Sequence, residues 1–257
     1  MAHEKFSIGE ALKYGWATFK SHALFLILFL VTLGLIDLAI TYPGRRIGGI
    51  VGLFVQLIAS LINLLLGMAA IRIALDIYDH GGPQISRVKT IFPQYLSYLA
   101  ARILCTLIVG GVYIVLYVCR GVIPPLISSV IFLIWFPFAA IFAYRFFFVS
   151  YLIIDRNSGP VDALGESREI TDGYKWNLFW LSLVLIILIA PGPFCYALSG
   201  PMIIAGADSQ SAAVAAFGVA LKYIGLVLMP TLVVTIPIVI MATVYVYRHL
   251  NPAPAAA

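Results

Sequence analysis

Six charged side chains lie inside or at the ends of long apolar segments, and their types and positions make them the first candidates for chemistry. They are Asp37, Arg72, Asp76, Arg102, Arg145 and Arg248. Ionisable groups in such segments are costly, and they commonly mark an ion or substrate path in membrane proteins. The alternative is that the arginines reach lipid headgroups and that Arg72 and Asp76, four residues apart, form a local helix pair. Because no arginine falls at the middle of a segment, anchoring is the favoured interpretation.

Other chemistry finds little support among the remaining residues. The three cysteines and four histidines have no zinc-type spacing, and they lie far apart in the chain. The sequence contains no paired carboxylates and no Ser–His arrangement that would suggest an active site. We therefore expect no enzymatic activity, no cofactor and no bound metal. The net charge of +5 is scattered over segment ends, so we expect no nucleic-acid partner.

The composition indicates which solvent surrounds the elements that carry these charges. The chain has 257 residues, of which 62% are hydrophobic and 11% are charged. Soluble domains have about 45–50% apolar and about 25% charged residues, so this chain is too apolar for a water-soluble fold. The apolar segments are evenly spread, which predicts one integral membrane domain over residues 1–250 and a disordered tail over residues 251–257.

The apolar segments predict an all-α polytopic protein with six transmembrane helices. The predicted spans are residues 23–40, 47–71, 99–118, 122–154, 176–190 and 212–247, most of them near the roughly 20 residues that a bilayer requires. Residues 42–44 are predicted to form a turn after the first span, which places Asp37 near that span's outer end. Residues 191–211 are predicted to be a loop. Prolines are expected to kink two spans, at Pro137, Pro230 and Pro237.

Three amphipathic surface helices are predicted before the odd spans. The first covers residues up to 21 and begins with a capping box formed by Ser7 and Glu10. The second covers residues 85–97, and a period of 3.6 residues predicts that Ile85, Val88, Phe92 and Tyr95 share one face.

The third surface helix covers residues 161–174 and has two contrasting faces. Its predicted buried face consists of small and apolar residues, namely Ala163, Leu164, Ser167, Ile170, Thr171 and Tyr174. Its predicted outer face is acidic and consists of Asp162, Glu166, Glu169 and Asp172. Because acidic groups do not favour anionic lipid headgroups, we expect this helix to pack on other helices.

The order of surface helix, span and span recurs, which predicts a threefold internal repeat. Phe6, Pro83 and Pro160 open the three units and are 77 residues apart, which gives repeats of residues 6–82, 83–159 and 160–250. Arg72, Arg145 and Arg248 fall near the same end of the even spans, so we expect them to do the same job. Acidic residues nearby suggest Asp76 and Asp79 as partners of Arg72, and Asp155 and Asp162 as partners of Arg145.

The distribution of basic residues predicts the orientation. Twelve lysines and arginines fall on the side of the termini, and four fall on the other side. Under the positive-inside rule, both termini and all three surface helices are expected to be cytoplasmic. Glycines at helix contacts are expected to allow close packing in lipid, and they are Gly34, Gly52, Gly67, Gly110, Gly111, Gly218 and Gly225.

Several runs of residues resemble a family of bacterial membrane proteins. These runs are Phe6–Leu12, Tyr144–Phe148, Ser150–Asp155, Gly159–Pro160 and Glu166–Gly173. They are similar to the six-span YciC-like family and to the membrane domain fused to some glycerophosphodiester phosphodiesterases. The resemblance implies a bacterial inner-membrane location and brings no catalytic residues, because the fused enzymes keep catalysis in a separate soluble barrel.

Three functions are consistent with the sequence. The first is a non-enzymatic scaffold or regulator that acts on membrane lipids or on a membrane-protein partner bound by the cytoplasmic surface helices. The second is a small-solute or ion transporter or channel, suggested by the repeat, the kinked spans and the charges at span ends. A lipid-handling enzyme is a third hypothesis that no residue constellation supports.

Overall fold

The computed structural model describes residues 6–119, 124–209 and 211–251, and these residues form helices joined by short turns. Of the described residues, 91% are helical and none lies in a strand, as expected for an all-α protein. The α-helices are α1 (Ile8–Ile47), α2 (Gly49–His80), α3 (Tyr95–Val118), α4 (Pro125–Arg145), α5 (Val149–Arg156), α6 (Pro160–Thr171), α7 (Lys175–Ile189), α8 (Pro191–Asp208), α9 (Ala212–Leu228) and α10 (Leu232–Leu250). Two 3-10 helices, Ile85–Gln94 and Met229–Thr231, precede α3 and α10.

Four helical segments of the described chain are long and apolar enough to cross a membrane. They are Ile8–Gly44, Gly49–His80, Ile85–Val118 and Ala212–Leu250. A fifth is added if α6 and α7, which meet at an angle of 99°, are counted as one broken span. Large side chains such as Leu24, Leu53 and Val118 are more than 60% exposed on these segments. Apolar surface on this scale suits a lipid environment better than water.

The first helical pair differs from the prediction at its turn. Residues 42–44 are helical, and α1 continues to Ile47. The turn lies at Gly48 and Gly49, which both have positive φ angles that residues with a Cβ rarely adopt. The predicted turn at Tyr42-Pro43-Gly44 is therefore wrong. A Cβ built on Gly44 would lie 3.1–3.3 Å from atoms of Val55 and Gln56, so this glycine lets α1 approach α2 closely. Asp37 consequently lies ten residues before the helix end.

The start of α1 agrees with the predicted boundary of the first surface helix. The Ser7 hydroxyl accepts a hydrogen bond from the Glu10 backbone N–H at 3.4 Å, which is one half of the predicted capping box. His22 has non-helical angles of φ −123° and ψ 24°, so α1 is kinked where the surface helix was predicted to give way to the first span.

The second surface element has a different helical period from the predicted one. Residues 85–94 form a 3-10 helix, whose side chains repeat every three residues. Ile91 is therefore buried, whereas Ile85 and Phe92 are 67% and 62% exposed. The prediction that Ile85, Val88, Phe92 and Tyr95 share one face is therefore wrong, because it assumed a period of 3.6 residues.

The third surface helix, α6, stabilises a break in the preceding helical pair. It agrees only in part with the predicted faces, because Glu166 of the predicted outer face is half-buried and accepts a hydrogen bond from Ser158. Ala163, Ser167 and Thr171 are buried. The Ser167 hydroxyl donates to the Arg145 carbonyl at 2.8 Å and accepts from the Phe148 N–H at 3.3 Å. These bonds satisfy backbone groups at the turn of residues 146–148. The predicted single span over residues 122–154 is thus divided into α4 and α5.

The predicted loop over residues 191–211 is also wrong. Residues 191–208 form α8, and a single residue, Ala190, separates it from the end of α7. Pro191 occupies the first turn of α8, where a missing N–H costs nothing. Small residues were interpreted as loop formers, whereas their role is to let α8 approach α9 closely.

Helix packing divides the chain into two compact units. One contains residues 36–179 and 246–251 of the described chain, and the other contains Phe6–Leu35 and Trp180–Tyr245. In the second unit, α8 and α9 pack along a seam of small residues spaced by seven, formed by Gly192, Ser199 and Gly206 against Gly218 and Gly225. A Cβ at Gly206 would lie 2.3 Å from the Ala215 nitrogen, and one at Gly225 would lie 2.7 Å from the Tyr196 nitrogen. Such contacts supply the van der Waals packing that holds helices together in lipid.

Candidate functional site

The most concentrated group of charges in the first unit is centred on Arg248, in the last turn of α10. Arg248 donates Nη1 to Asp155 Oδ2 at 2.6 Å and Nη2 to Asp155 Oδ1 at 2.7 Å. It also donates Nε to Asp79 Oδ1 at 3.0 Å and Nη2 to Asp79 Oδ2 at 2.6 Å. The guanidinium therefore binds two carboxylates bidentately, one from α2 and one from α5. Only arginine has the planar fork that this arrangement requires.

A second layer of polar groups extends this Arg248 cluster. The Tyr247 hydroxyl donates to Asp155 Oδ2 at 2.9 Å, and Asn251 Nδ2 donates to the Tyr247 oxygen at 3.0 Å. Arg156 Nη2 donates in turn to Asn251 Oδ1. Asn251 is only 6% exposed, so the predicted disordered tail cannot begin at this residue. Residues 252–257 of that predicted tail lie outside the described residues.

Three aromatic rings pack together beside the Arg248 cluster. The Tyr247 ring lies 5.6 Å from the Phe148 ring and 5.4 Å from the Tyr151 ring, measured between centroids. Tyr247 and Phe148 are fully buried. Because the Arg248 side chain is only 5% exposed, its charge is neutralised by protein groups rather than by water.

A smaller charge cluster surrounds Asp76 on α2. Its Oδ1 atom lies 3.5 Å from Arg72 Nη2, 3.5 Å from Arg87 Nη1 and 4.0 Å from His80 Nδ1. Arg87 belongs to the 3-10 helix, so this contact fixes that element on α2. Arg72 Nη1 also donates to the Ile154 carbonyl of α5 at 3.4 Å. The Asp76 side chain is 2% exposed, and its Oδ2 atom has no hydrogen-bond partner in the described chain.

The structure reassigns the partners predicted for the three equivalent arginines. Arg72 contacts Asp76 as expected, whereas Asp79 and Asp155 both bind Arg248 instead of Arg72 and Arg145. The acids that Arg248 lacks in its own sequence neighbourhood thus come from α2 and α5. Arg145 forms no ion pair within the described residues, and its Nε atom is buried without a partner. The prediction that Arg72, Arg145 and Arg248 have the same role is therefore wrong, because their contacts differ.

Asp37 and Arg102 lie apart from both clusters. Asp37 Oδ1 accepts a hydrogen bond from Asn63 Nδ2 at 2.7 Å, which joins α1 to α2 inside two candidate spans. Arg102 lies on α3 beside a cavity between α3, α4 and α5, and it makes no ion pair within the described chain. Within the same residues, no three histidine, cysteine or acidic side chains come together as a metal site.

An exposed pair between α6 and α7 contrasts with these buried groups. Lys175 Nζ lies 2.9 Å from Asp172 Oδ1. The hydrogen bond from the Lys175 ammonium lowers the pKa of Asp172 below its ordinary value of 3.8. Because Asp172 is exposed, solvent screens this ion pair, and we expect it to contribute little to the stability of the fold.

Sequence reasoning missed Asp79, Asp155, Arg156, Tyr247 and Asn251 as members of one cluster. One signal was present, because Tyr247 and Asn251 are polar and four residues apart at the end of an apolar helix, which places them on one face. The pairing across helices had no signal in the sequence, because it depends on how α2, α5 and α10 meet.

Comparison with known proteins adds a partial family match. A family model described as a protein of unknown function (DUF975) matches residues 121–223, which is less than half of the chain. The matched region contains α4 to α8 and most of α9, and it includes Asp155 but neither Asp79 nor Arg248. No curated protein and no solved structure matches the chain. The resemblance to YciC-like proteins has no counterpart in these matches and stays a prediction.

Proposed function

We propose that this chain is a non-enzymatic integral membrane protein of the bacterial inner membrane, which organises membrane-protein partners or the lipid around them. The observation that carries this proposal is the pairing of Arg248 with Asp79 and Asp155. Both edges of the guanidinium are occupied by carboxylates, so the largest charge cluster holds three helices together and offers no open position to a reacting group. Breaking such a cluster costs stability rather than removing a catalytic group.

The proposed topology has six spans in three helical pairs, with both termini and the elements at residues 85–94 and 160–171 on the cytoplasmic side. Support comes from α4, whose 21 residues suffice for a bilayer, and from α8, which extends the short helix α7. The excess of lysine and arginine on the side of the termini supports the orientation. The YciC-like resemblance is consistent with the same arrangement.

Cysteine-accessibility labelling tests this topology. In a background without Cys105, Cys119 and Cys195, single cysteines at positions 10, 85 and 166 should react from the cytoplasmic side. Cysteines at positions 46 and 209 should react from the opposite side, because these positions flank the turns at the other ends of the helical pairs. Labelling of positions 10 and 166 from opposite sides would contradict the six-span proposal.

The exposed face of α6 is the proposed docking surface for a basic segment of a membrane-protein partner. Asp162 and Glu169 point away from the buried face formed by Ala163, Ser167 and Thr171. Because these carboxylates form no ion pair in the described chain, they remain available to cationic side chains. Charge complementarity of this kind favours rapid and specific association.

Purification in a mild detergent tests the scaffold function. The native chain and an Asp172→Asn control should each bring down the same membrane protein in a stoichiometric amount. The double variant Asp162→Lys, Glu169→Lys should be produced in equal folded yield and should lose that protein. Absence of a stoichiometric partner from the native sample, or its retention by the double variant, would contradict the proposal.

Asp37 favours a transporter as the second candidate function. A carboxylate that is hydrogen-bonded to Asn63 inside two apolar helices is the kind of group that carries protons or cations across membranes. Proteoliposomes containing the native protein should then show cation or proton flux that Asp37→Asn abolishes and Asp172→Asn leaves unchanged. Equal flux in empty liposomes and in liposomes containing the native protein would exclude this candidate.

A further inference from the structure

A cavity of about 470 Å³ opens between α3, α4 and α5, and its lining changes from polar to apolar along its length. Ligand pockets in proteins commonly enclose about 300–1,000 Å³. The α3 residues that line the cavity run from Tyr98 and Arg102 to Val109 and Gly110. At 1.5 Å per residue, this face is roughly 18 Å long. One end therefore presents polar groups, and the other presents aliphatic and backbone surface.

The polar end contains three hydrogen-bond donors that the described chain leaves free. Within the described residues, Arg102 forms no ion pair and no side-chain hydrogen bond, and the hydroxyls of Tyr98 and Ser150 make no hydrogen bond. Tyr98 is only 5% exposed, so its ring is fixed within the fold while its hydroxyl borders the cavity. A guanidinium with two hydroxyls beside it matches the acceptor oxygens of a phosphate group.

The sign of the charge excludes a cation as the natural occupant of this cavity. Among the described residues, no aspartate or glutamate lines it, and Arg102 is the one charged lining residue. In the Arg248 cluster, by contrast, both edges of the Arg248 guanidinium face carboxylates. Arg102 is exposed, and an arginine without an acidic partner at the polar end of an apolar cavity suits an anion that carries its own apolar chain.

We propose that this cavity binds one anionic phospholipid, with the phosphodiester at Arg102, Tyr98 and Ser150 and the first part of an acyl chain along Val109 and Gly110. Arg102 lies about two turns into α3, at a depth from which its side chain reaches the headgroups. The site gives the lipid-organising role proposed above a specific ligand, and it rests on the same membrane topology. Its binding measurement does not depend on any protein partner.

Two neighbouring glycines provide a matched pair of variants for the apolar end. Gly110 lines the cavity, and a Cβ there would meet only Thr106 Cγ2, at 4.0 Å. Gly111 does not line the cavity, and a Cβ there would meet nothing within 4 Å. A leucine at position 110 should therefore enter the cavity, whereas a leucine at position 111 should point elsewhere on the same helix.

The test is native mass spectrometry of the delipidated full chain, titrated with phosphatidylglycerol or with phosphatidylcholine. The native protein should bind one phosphatidylglycerol at least tenfold more tightly than phosphatidylcholine. Arg102→Gln and Gly110→Leu should each lower that affinity at least tenfold. Gly111→Leu should bind as the native protein does, and so should Lys89→Gln, which removes an exposed charge elsewhere.

Three outcomes would overturn the proposal. Equal losses for Arg102→Gln and Lys89→Gln would indicate diffuse attraction of charge, and equal behaviour of the two leucine variants would place the lipid outside this cavity. Inorganic phosphate that displaces the lipid at millimolar concentration would indicate a site for a free anion. Loss of lipid binding in Arg102→Gln with an unchanged protein partner would separate this site from the docking surface on α6.

Discussion

Arg248 and Arg102 lie near helix ends in the same compact unit, yet their surroundings differ completely. The Arg248 side chain is 5% exposed, binds two carboxylates and lies against buried aromatic rings. Arg102, in contrast, borders a cavity and has no charged partner in the described chain. A buried guanidinium needs protein acids because its desolvation is costly, and an accessible one can use water or lipid phosphate. The sequence position of an arginine near a span end therefore does not determine its role.

The largest expected effect comes from removing Arg248. Arg248→Met should lower the free energy of unfolding by about 3–5 kcal/mol, because Asp79 and Asp155 would remain in place without a cation. Arg102→Met should change it by less than about 0.5 kcal/mol, because no acid depends on Arg102. Thermal unfolding of both variants in one lipid-free detergent measures the difference. Similar losses in the two variants would show that the contrast between the arginines is unfounded.

The two acids that bind Arg248 should contribute unequally. Asp155 accepts bonds from both Arg248 and Tyr247 and is 13% exposed, whereas Asp79 binds only Arg248 and is 25% exposed. Asp155→Asn should therefore cost about 2–3 kcal/mol, and Asp79→Asn should cost less, since charge-assisted bonds contribute about 1.5–3 kcal/mol. Unfolding of the two variants in the same detergent decides the order. A larger loss for Asp79→Asn would contradict the geometry of the Arg248 cluster.

Ser167 should have a smaller effect that is independent of charge. Ser167→Ala removes the two hydrogen bonds that satisfy the Arg145 carbonyl and the Phe148 N–H, so the expected loss is about 1–2 kcal/mol. Glu169→Gln lies on the exposed face of the same helix and should be close to neutral. Folded yield and thermal unfolding can be compared for the pair. A neutral Ser167→Ala would mean that the turn at residues 146–148 does not need α6.

The smallest effect is expected for the exposed pair of Asp172 and Lys175. Because the pKa of Asp172 is lowered in the folded chain, its contribution is present above the ordinary pKa of 3.8 and disappears as the pH falls through the lower folded value. Asp172→Asn should therefore lower the unfolding temperature only slightly, by an amount that is constant between about pH 5 and pH 8 and close to the scatter typical of surface substitutions. A clear pH dependence of the difference in this range would show that the pair is less exposed than described.

Helix content and the apolar surface were predictable because they depend on composition and on local period. The buried face of α6 was also predictable, since Ala163, Ser167 and Thr171 repeat at helical spacing beside acidic residues. The 3-10 helix was not, because its three-residue period exposes Ile85 and Phe92, which a 3.6-residue period would bury. Pro93 and the contact of Arg87 with Asp76 favour the tighter element, and the second of these is a tertiary effect.

The prediction that glycines lie at close helix contacts is correct at some positions and wrong at others. Gly52, Gly218 and Gly225 lie at close helix contacts as expected, whereas Gly34, Gly67 and Gly111 have no atom within 4 Å of a Cβ position. Gly192 and Gly206 were interpreted as loop residues, although their seven-residue spacing with Ser199 is a packing signal. The partners of Arg248 could not be predicted, because they come from helices that are about 90 and 170 residues earlier in the chain.

The most direct test of the difference between the two arginines is to replace each with lysine and to measure thermal unfolding in the same lipid-free detergent. Lysine keeps the charge but cannot bind two carboxylates through a planar fork. Arg248→Lys should lower the unfolding temperature by roughly 5 °C, which corresponds to about 1.5–2.5 kcal/mol for a chain of this size, and Arg102→Lys should leave it unchanged. An Arg248→Lys protein as stable as the native one, or an equal loss in Arg102→Lys, would contradict the assignment of Arg248 as a fixed helix clamp.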